Sequence, residues 1–554
     1  MDKKKYLVTA APPTSNGNLH IGHLAGPFLG ADVFSRIQRM LENDVLYISY
    51  GDDYQDYVER KAFETNKTPE DISTFYTNEM KETLRIAHML PDHFPGSKDI
   101  PMHPQVMQEI FLDLYKNNQI QFMNVTTFYC EKCEKFEYEA YARGNCHYCG
   151  SPSDANYCES CGQPQEAGML WDAKCHTCKN ELNLYIEDRA YFPLSQHKEA
   201  LEKYYEHKNW RPDAKELCEK ILDNKIDAPV TRKSKWGIKV PLENRENHIL
   251  DTWYGGPAGY ISATMDWSSL QPDKDKWKEY WQSEDTKWIA FVGYDCTFSH
   301  GVFYPAMLKA HGKYNAPDTV VTNKFYGLDG EKISTSRNHA IWGNDIFNLV
   351  NSDAVRLYLS STAPESTEMN FNLDDFKQFV NKDLADAWNN WLQSLFNEAA
   401  SLGITSIDSI FDNPATNLEK KAINCLEQIS VYYDAENFSL QKITSLILEL
   451  AREAMDSYWR FDRTVHESNL AMIKENLKVV RLLAVIASPI MTEFSVKIMD
   501  ILGEKNIEER KIYLWTDLKN KTQILPKKPL EPFFAKVPQG VFEKLSAYKK
   551  GVVK

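Results

Sequence analysis

Eight cysteines set as four Cys-x-x-Cys pairs between residues 130 and 178 limit the folds open to this chain more than any other feature. The pairs are Cys130/Cys133, Cys146/Cys149, Cys158/Cys161 and Cys175/Cys178. Each pair can grip a metal ion across a tight turn, and two pairs complete a tetrahedral thiolate zinc site. Eight thiolates therefore provide for two zinc ions and leave no open coordination position, so the expected role of the metal is structural. Iron–sulfur is the rival reading, and the paired knuckle spacing favours zinc. Spacing does not say which pair joins which. Thiolates at this density point to a reducing compartment rather than to disulfides. Cys218, Cys296 and Cys425 are expected to be buried or incidental.

The cysteine region interrupts an alternating pattern. KYLVTAA reads as a buried strand ending at Pro12, SNGNLHIGH as a loop with an Asn-Gly turn, and ADVFSRIQRML as a helix. VLYISY is a second strand, ending at Gly51-Asp52-Asp53, and strand-like runs resume at WIAFVGYD and DTVVTNKFYG. This order predicts a doubly wound, Rossmann-type parallel sheet, whose ligands sit at the carboxyl ends of the strands. Past about residue 375, apolar residues recur every three or four positions, as in a helical bundle. At 554 residues the chain is long enough for about three or four domains. The expected layout is a first catalytic half over 1–115, a connective insertion with the knuckles over 116–235, and a second half over 236–345. A linker over 346–375 leads to a bundle and tail over 376–554, with the tail segment LPKKPLEPFFAKVPQG expected to cross the surface without regular structure.

A net charge of −14 excludes nucleic-acid binding by bulk electrostatics but not by local basic patches. The lysines at the start precede an apolar run broken by Pro12 and Pro13 before it reaches export-signal length, and no run is long enough to span a bilayer. A cytoplasmic protein is expected.

Two motifs carry chemistry. His20-Ile21-Gly22-His23 falls at the loop-to-helix junction after the first strand, where imidazoles three residues apart share a face. The helix amino terminus offers free N–H groups to an anion such as a triphosphate, and Gly22 leaves room for a nucleotide against the backbone. Far along the chain, Gly327 to Arg337 forms a glycine-containing loop with Lys332, Ser334 and Ser336. A lysine on such a loop can close over phosphates and neutralise charge on departing pyrophosphate.

Together, HIGH at 20–23 and KISTS at 332–336 resemble the two signatures of the class I aminoacyl-tRNA synthetases. PPTSNGNLHIGHLAG, ADVFSRIQRM, KFYGLDGEKISTSR and SDAVRLYL follow that family, and the cysteine pairs, WYGGPAGY and FVGYDCTFSHGVFYPAML are most similar to its methionyl branch. The resemblance spans essentially the whole chain. It implies that His20, His23 and Lys332 stabilise ATP, brought with Mg2+, while an amino acid carboxylate attacks the α-phosphorus. It further implies that Gly22, Gly293, Asp295, Ile333, Ser334 and Ser336 bind the nucleotide. By the same likeness Asp53 holds the substrate α-amino group, and Arg232 lies near the active site. Pro12, Thr14, Trp253, Pro257, Tyr260, Ser299 and His300 surround the substrate side chain, although periodicity alone would make several of them core residues. The inner cysteine pairs, 146/149 with 158/161, are expected to share one zinc and the outer pairs the other.

Departures from the family pattern are specific. Thr335 stands where a second lysine is usual, Pro12 and Thr14 where a leucine and a tyrosine line the pocket, Ser299 for an aromatic, and Tyr304 for a tryptophan. The segment after Asp53 lacks the usual glycine. Asn390 and Trp459 match the family's anticodon-reading positions, and the arginine position falls on Ser394. Trp459 could stack on an unpaired base, or with Trp391 be bundle core. The sequence ends soon after the bundle, so a monomer is expected. The expected reaction is ATP-dependent activation of methionine and its transfer to tRNA. The competing readings are a paralogue that uses another amino acid or a non-tRNA acceptor, and a regulatory RNA-binding protein without catalysis.

Overall fold

The structure is a computed structural model that describes residues 3–165, 168–224, 226–333, 339–412, 414, 416–464, 466–504, 518–519, 522–523 and 531–549. Four apolar segments form its central sheet: Lys5–Ala10, Asp44–Ile48, Thr286–Gly293 and Thr319–Asn323. They lie in the spatial order fourth, third, first, second, and all pairs are parallel. Strands covered on both faces read as continuous apolar runs, as these do. The chain leaves the first strand toward one side and returns on the other, with Ala10 beside Phe291 and Thr9 beside Ile48. The strand order therefore reverses at the first strand, and a cleft opens at its carboxyl end.

Between the second and third strands the chain runs out along an antiparallel ribbon, Gln121–Cys130 against Asn183–Phe192, in register from Gln121↔Tyr191 to Tyr129↔Asn183. At its far end Pro152–Ala155, Glu139–Asn145 and Trp171–Cys175 make a small sheet. That sheet buries only Phe128, Ala142, Ala155 and Leu170 as its own apolar cluster. So small a core needs a staple.

The last third is helical, with principal helices Asn389–Ser401, Asn417–Val431, Leu440–Arg460, His466–Ala487 and Thr492–Leu502. Local chemistry sets their ends. Thr416 and Glu419 form a reciprocal capping box, Ser439 caps the next helix, and Gly503 closes the last at φ 77°. Ile443, Ile447, Leu450, Ala454 and Tyr458 share the buried face of the longest-patterned helix. One continuous apolar core runs from Val8 and Ile289 in the sheet to Trp391 and Leu450 in the bundle. No helix among the described residues is long and apolar enough to cross a membrane.

The tail departs from its expectation. Residues 531–538 lack regular structure, yet Phe533 and Phe534 are buried, and a helix, Gln539–Lys549, follows. The Asn389 side chain accepts from the Phe533 and Phe534 N–H groups at 3.0 Å each and donates to the Phe534 carbonyl at 2.7 Å. Those proline neighbours suggested surface coil, but two adjacent aromatics supply enough apolar area to dock the segment.

Arg356, in the helix Ser352–Ser361, is fully buried where sheet domain and bundle meet. It donates to the carbonyls of Ile490, Pro489, Ala87 and His88 at 2.7, 2.8, 3.1 and 2.9 Å, and to Asp32 at 2.7 Å. Replacing it with Leu strands the Ile490, Pro489 and Ala87 carbonyls in the interior and leaves Asp32 and the His88 carbonyl to Arg36 alone. The expected cost is about 3 kcal/mol or more, read as a lowered denaturant midpoint.

Candidate active site

The histidine turn caps the helix that leaves the first strand. His20 Nδ1 accepts from the Gly22 N–H at 3.1 Å, and His23 Nδ1 accepts from the His20 N–H at 3.3 Å. Both rings are thereby fixed as the tautomer that carries its proton on Nε2. They stack at 3.8 Å between centroids, 23° from parallel. Burial pushes His23 down to about 4 and His20 well below its ordinary value, helped by the nearness of His23. Both are neutral donors at pH 7.

The loop motif comes to the same place. Tyr326–Leu328 and Glu331–Lys332 form a hairpin turning at Asp329 and Gly330, with φ 48° and 84°. Ile333 follows, and its Cδ1 would lie 3.4 Å from a Cβ on Gly22. Beyond the loop the chain clasps the histidine turn: the Ile21 N–H donates to the Ile341 carbonyl at 3.0 Å and the Gly343 N–H to the Leu19 carbonyl at 2.8 Å. Lys332 is exposed, paired with Glu159 of the knuckle insertion, and 5.2 Å from the Phe325 ring centre. Ser334, Thr335 and Ser336 lie outside the described residues. Gly293 ends the third strand, and a Cβ there would sit 2.5 Å from the Asp295 carboxylate, so glycine lets that side chain fold back. Burial, with the Glu159 charge adding, pushes Asp295 up to about 6.

On the other side of the cleft the structure separates two adjacent carboxylates. Asp53 is fully buried, its oxygens accepting from Thr77 Oγ1 at 3.1 Å and the Lys98 N–H at 3.0 Å. Asp52 instead lines a cavity with Tyr50, Tyr54, His103, Ile238 and Gly255. Asp53 lies in the turn that follows, where Thr77 and the Lys98 N–H hold its carboxylate. Asp52, not Asp53, faces the cavity. Burial pushes Asp52 up to about 7, opposed by a 2.6 Å hydrogen bond from Gln55 and reinforced by the Asp53 charge.

Arg232 is fully buried and meets Asp56 at 2.9 Å, Asp251 at 3.2 Å and, from the insertion, Glu139 at 3.5 Å. One guanidinium among several carboxylates leaves excess negative charge beside the cavity, which suits a bound ammonium.

Tyr260, Ser299 and His300 form one buried network. The Tyr260 hydroxyl lies 3.1 Å from both the Ala10 carbonyl and His300 Nε2, and Ser299 Oγ is 2.9 Å from His300 Nδ1. Burial pushes His300 down to about 4. Pro257 is buried in the helix Thr252–Ser269, whose Gly256 is required because a Cβ would fall 1.9 Å from the Tyr304 hydroxyl. Trp253 is half-buried at the start of that helix. Pro12 and Thr14 are half-buried at the exit of the first strand, where Thr14 bridges to Asp52.

The cysteine sulfurs gather in two groups, Cys130, Cys133, Cys175 and Cys178, and Cys146, Cys149, Cys158 and Cys161, each within 4.8 Å of one another. The outer group has contacts of 3.4 and 3.8 Å and the inner group 3.8 and 3.6 Å. Zinc–sulfur bonds of about 2.3 Å give tetrahedral edges of about 3.8 Å, so the residues fit zinc. Backbone N–H groups of Tyr148 and Cys178 point at Cys146 and Cys175, at 3.3 and 3.5 Å, as thiolate ligands require. Cys218 and Cys425 are buried, but Cys296 stands at the turn beside Asp295.

On the bundle, Trp391 is core whereas Trp459 is 51% exposed, edge-on to Tyr458. Asn390 is exposed and Ser394 half-buried. Neither approaches the cleft residues in any contact described above.

Sequence reading missed Asp52, Glu139 and Glu159. Asp52 sits in the run Gly51-Asp52-Asp53 beyond the second strand, where position alone does not choose between the two carboxylates; the other two are brought in by the insertion's folding and carry no local signal.

The family described as tRNA synthetases class I (M) matches residues 6–395. Among curated relatives, the methionine–tRNA ligase of Pyrococcus furiosus is 29% identical over 543 residues, covering 93% of this chain and 73% of that protein. That of Methanocaldococcus jannaschii is 30% identical over 510 residues, covering 90% and 76%. Among solved structures, Mycobacterium tuberculosis methionyl-tRNA synthetase in complex with methionyl-adenylate superposes with a TM-score of 0.76 at 19% identity, covering 96% of this chain and 99% of that one.

Elemental analysis should find about two zinc per chain. Cys130→Ser with Cys175→Ser should lose one ion, whereas Cys130→Ser with Cys158→Ser should lose both; equal losses would refute the observed grouping.

Proposed function

We infer the chemistry of this cleft from one premise: the chain belongs to the class I tRNA synthetases, and it is a ligase that activates methionine with ATP and joins it to tRNA. The methionine carboxylate attacks the α-phosphorus of ATP, forming the mixed anhydride and breaking the bond to pyrophosphate. The tRNA 3′-terminal hydroxyl then attacks the adenylate carbonyl, and AMP leaves. Class I chemistry of this kind rests on positioning and charge stabilisation.

In our reading, His20 and His23 donate their Nε2 protons to phosphate oxygens of magnesium-bound ATP. Gly22, between them, leaves space for the nucleotide, and Ile333 places Lys332 above the same phosphates. Lys332 must leave Glu159 to neutralise the departing pyrophosphate. Gly293 and Asp295 hold the ribose, and Ser334 and Ser336 are assigned to the phosphates by motif alone. Asp52, replacing Asp53 in this role, receives the α-ammonium. Trp253, Pro257, Tyr260, Ser299 and His300, with Pro12 and Thr14, enclose the thioether side chain.

Asn390 and the exposed Trp459 are assigned to the anticodon, where an indole can stack on an unpaired base. The cysteine groups hold structural zinc. Eight thiolates held as ligands support a cytoplasmic setting.

The observation that carries this reading is the meeting of Ile333 with Gly22, which joins the two motifs at the end of one strand. Pyrophosphate exchange tested across the amino acids should respond to methionine, followed by charging of methionine tRNA. Exchange with none, or with another amino acid, would sink it. Asp52→Asn should reduce exchange by about 100-fold, the ~3 kcal/mol of a hydrogen bond between charged groups; Asp53→Asn should chiefly lower stability. Because Asp52 must ionise to hold an ammonium and is pushed up to about 7, kcat/KM for methionine should rise with pH through about 7 and then level. A flat profile between pH 6 and 8 would refute Asp52 as the anchor.

A further inference from the structure

The inner knuckle does not stand apart from the cleft. Three of its residues reach the catalytic half. Tyr157 sets its ring edge-on to Trp253, with centroids 4.6 Å apart and planes at 79°. Glu159 pairs with Lys332. The tight turn at Gly162, φ 70°, lies where a Cβ would be 2.5 Å from Leu217 and 3.5 Å from Tyr294. Tyr294, Asp295 and Cys296 are the turn that leaves the third strand. The knuckle is thus seated on that strand's carboxyl end, between the ribose position at Asp295 and the side-chain pocket at Trp253.

Tyr157 is held there by its neighbours. Cys158 is one of the clustered sulfurs, and Tyr157 itself bridges to Pro164 across the knuckle. Burial, with charge at Cys296 and Asp295, keeps the phenol neutral. The edge of an aromatic ring is a favourable neighbour for a thioether sulfur.

We propose that Tyr157, carried in by the zinc knuckle, is a specificity-determining wall of the amino-acid pocket that limits the length of the accepted side chain. This rests on the reading of the cleft as the methionine site. It also gives the knuckle a role at the substrate: the metal site positions a ring that the parallel sheet does not provide.

The test compares wild type, Tyr157→Phe, Tyr157→Leu and Tyr157→Ala in pyrophosphate exchange with methionine and with ethionine, together with ATP KM and zinc content. Removing the wall should raise methionine KM about tenfold and raise the ethionine-to-methionine ratio of kcat/KM about tenfold or more, the scale on which a pocket discriminates one methylene. ATP KM should stay within about twofold and zinc near two per chain. Tyr157→Phe, which keeps the ring, should behave nearly as wild type. An unchanged ethionine ratio in Tyr157→Ala and Tyr157→Leu would overturn the proposal. So would methionine and ATP KM rising together with loss of zinc, the mark of a residue that only packs the knuckle. A wild-type protein that exchanges with no amino acid would instead refute the parent reading.

Discussion

One buried guanidinium holds the two halves of this molecule in a fixed relation. Taking Arg356 out of water is costly, and Asp32 with four carbonyls offsets that cost only while all of them converge. The acceptors come from three places: the helix that begins at the histidine turn, the end of the helix Pro69–Ile86, and the joint between the last two long bundle helices. Asp32 also takes Arg36, at 2.9 Å. Any rotation of the bundle against the sheet would break several of these bonds at once. The histidine turn and the bundle surface bearing Trp459 therefore keep a constant geometry.

A second buried cation does similar work closer to the chemistry. Arg232 draws Asp56 from the start of the helix Asp56–Thr65, Asp251 from the start of the Trp253 helix, and Glu139 from the insertion. The insertion is consequently fastened beside the Asp52 cavity by charge and along the turn Tyr294–Cys296 by the packing of Gly162 on Tyr294. The surplus of carboxylates around Arg232 concentrates negative charge beside Asp52.

Much of this was legible in the sequence because it depends on local rules. Apolar runs ending in Pro12, Asp52 and Gly293 became the strands of the sheet, and the His-x-x-His turn became a cap because two residues of that type satisfy the free N–H groups of a helix start. The Cys-x-x-Cys spacing announced chelation but not pairing; the family resemblance supplied the grouping, inner pairs together and outer pairs together, that the sulfurs adopt. What stayed hidden depends on contacts between distant segments. Asp53 resembled the ligand by motif, but Thr77 and the Lys98 N–H hold its carboxylate while its neighbour Asp52 lines the cavity. Tyr157 and Glu159 sit in a polar stretch with no periodicity, and only the seating of the knuckle gives them meaning. Phe533 and Phe534 were obscured by flanking prolines, although Asn389, the hydrogen-bonding anchor for both, lies about 145 residues away.

The strand order has a kinetic consequence. Lys5–Ala10 finds one neighbour early, since Asp44–Ile48 follows closely, but its other edge waits for Thr286–Gly293. During synthesis at about 5–20 residues per second, that edge stays unsatisfied for roughly 15–60 s. The ribbon and knuckles emerge in the interval with local partners of their own. An apolar strand left open for so long is a site for wrong pairing, so the growing chain is most vulnerable in the interval between making the histidine turn and making the strand that ends at Gly293.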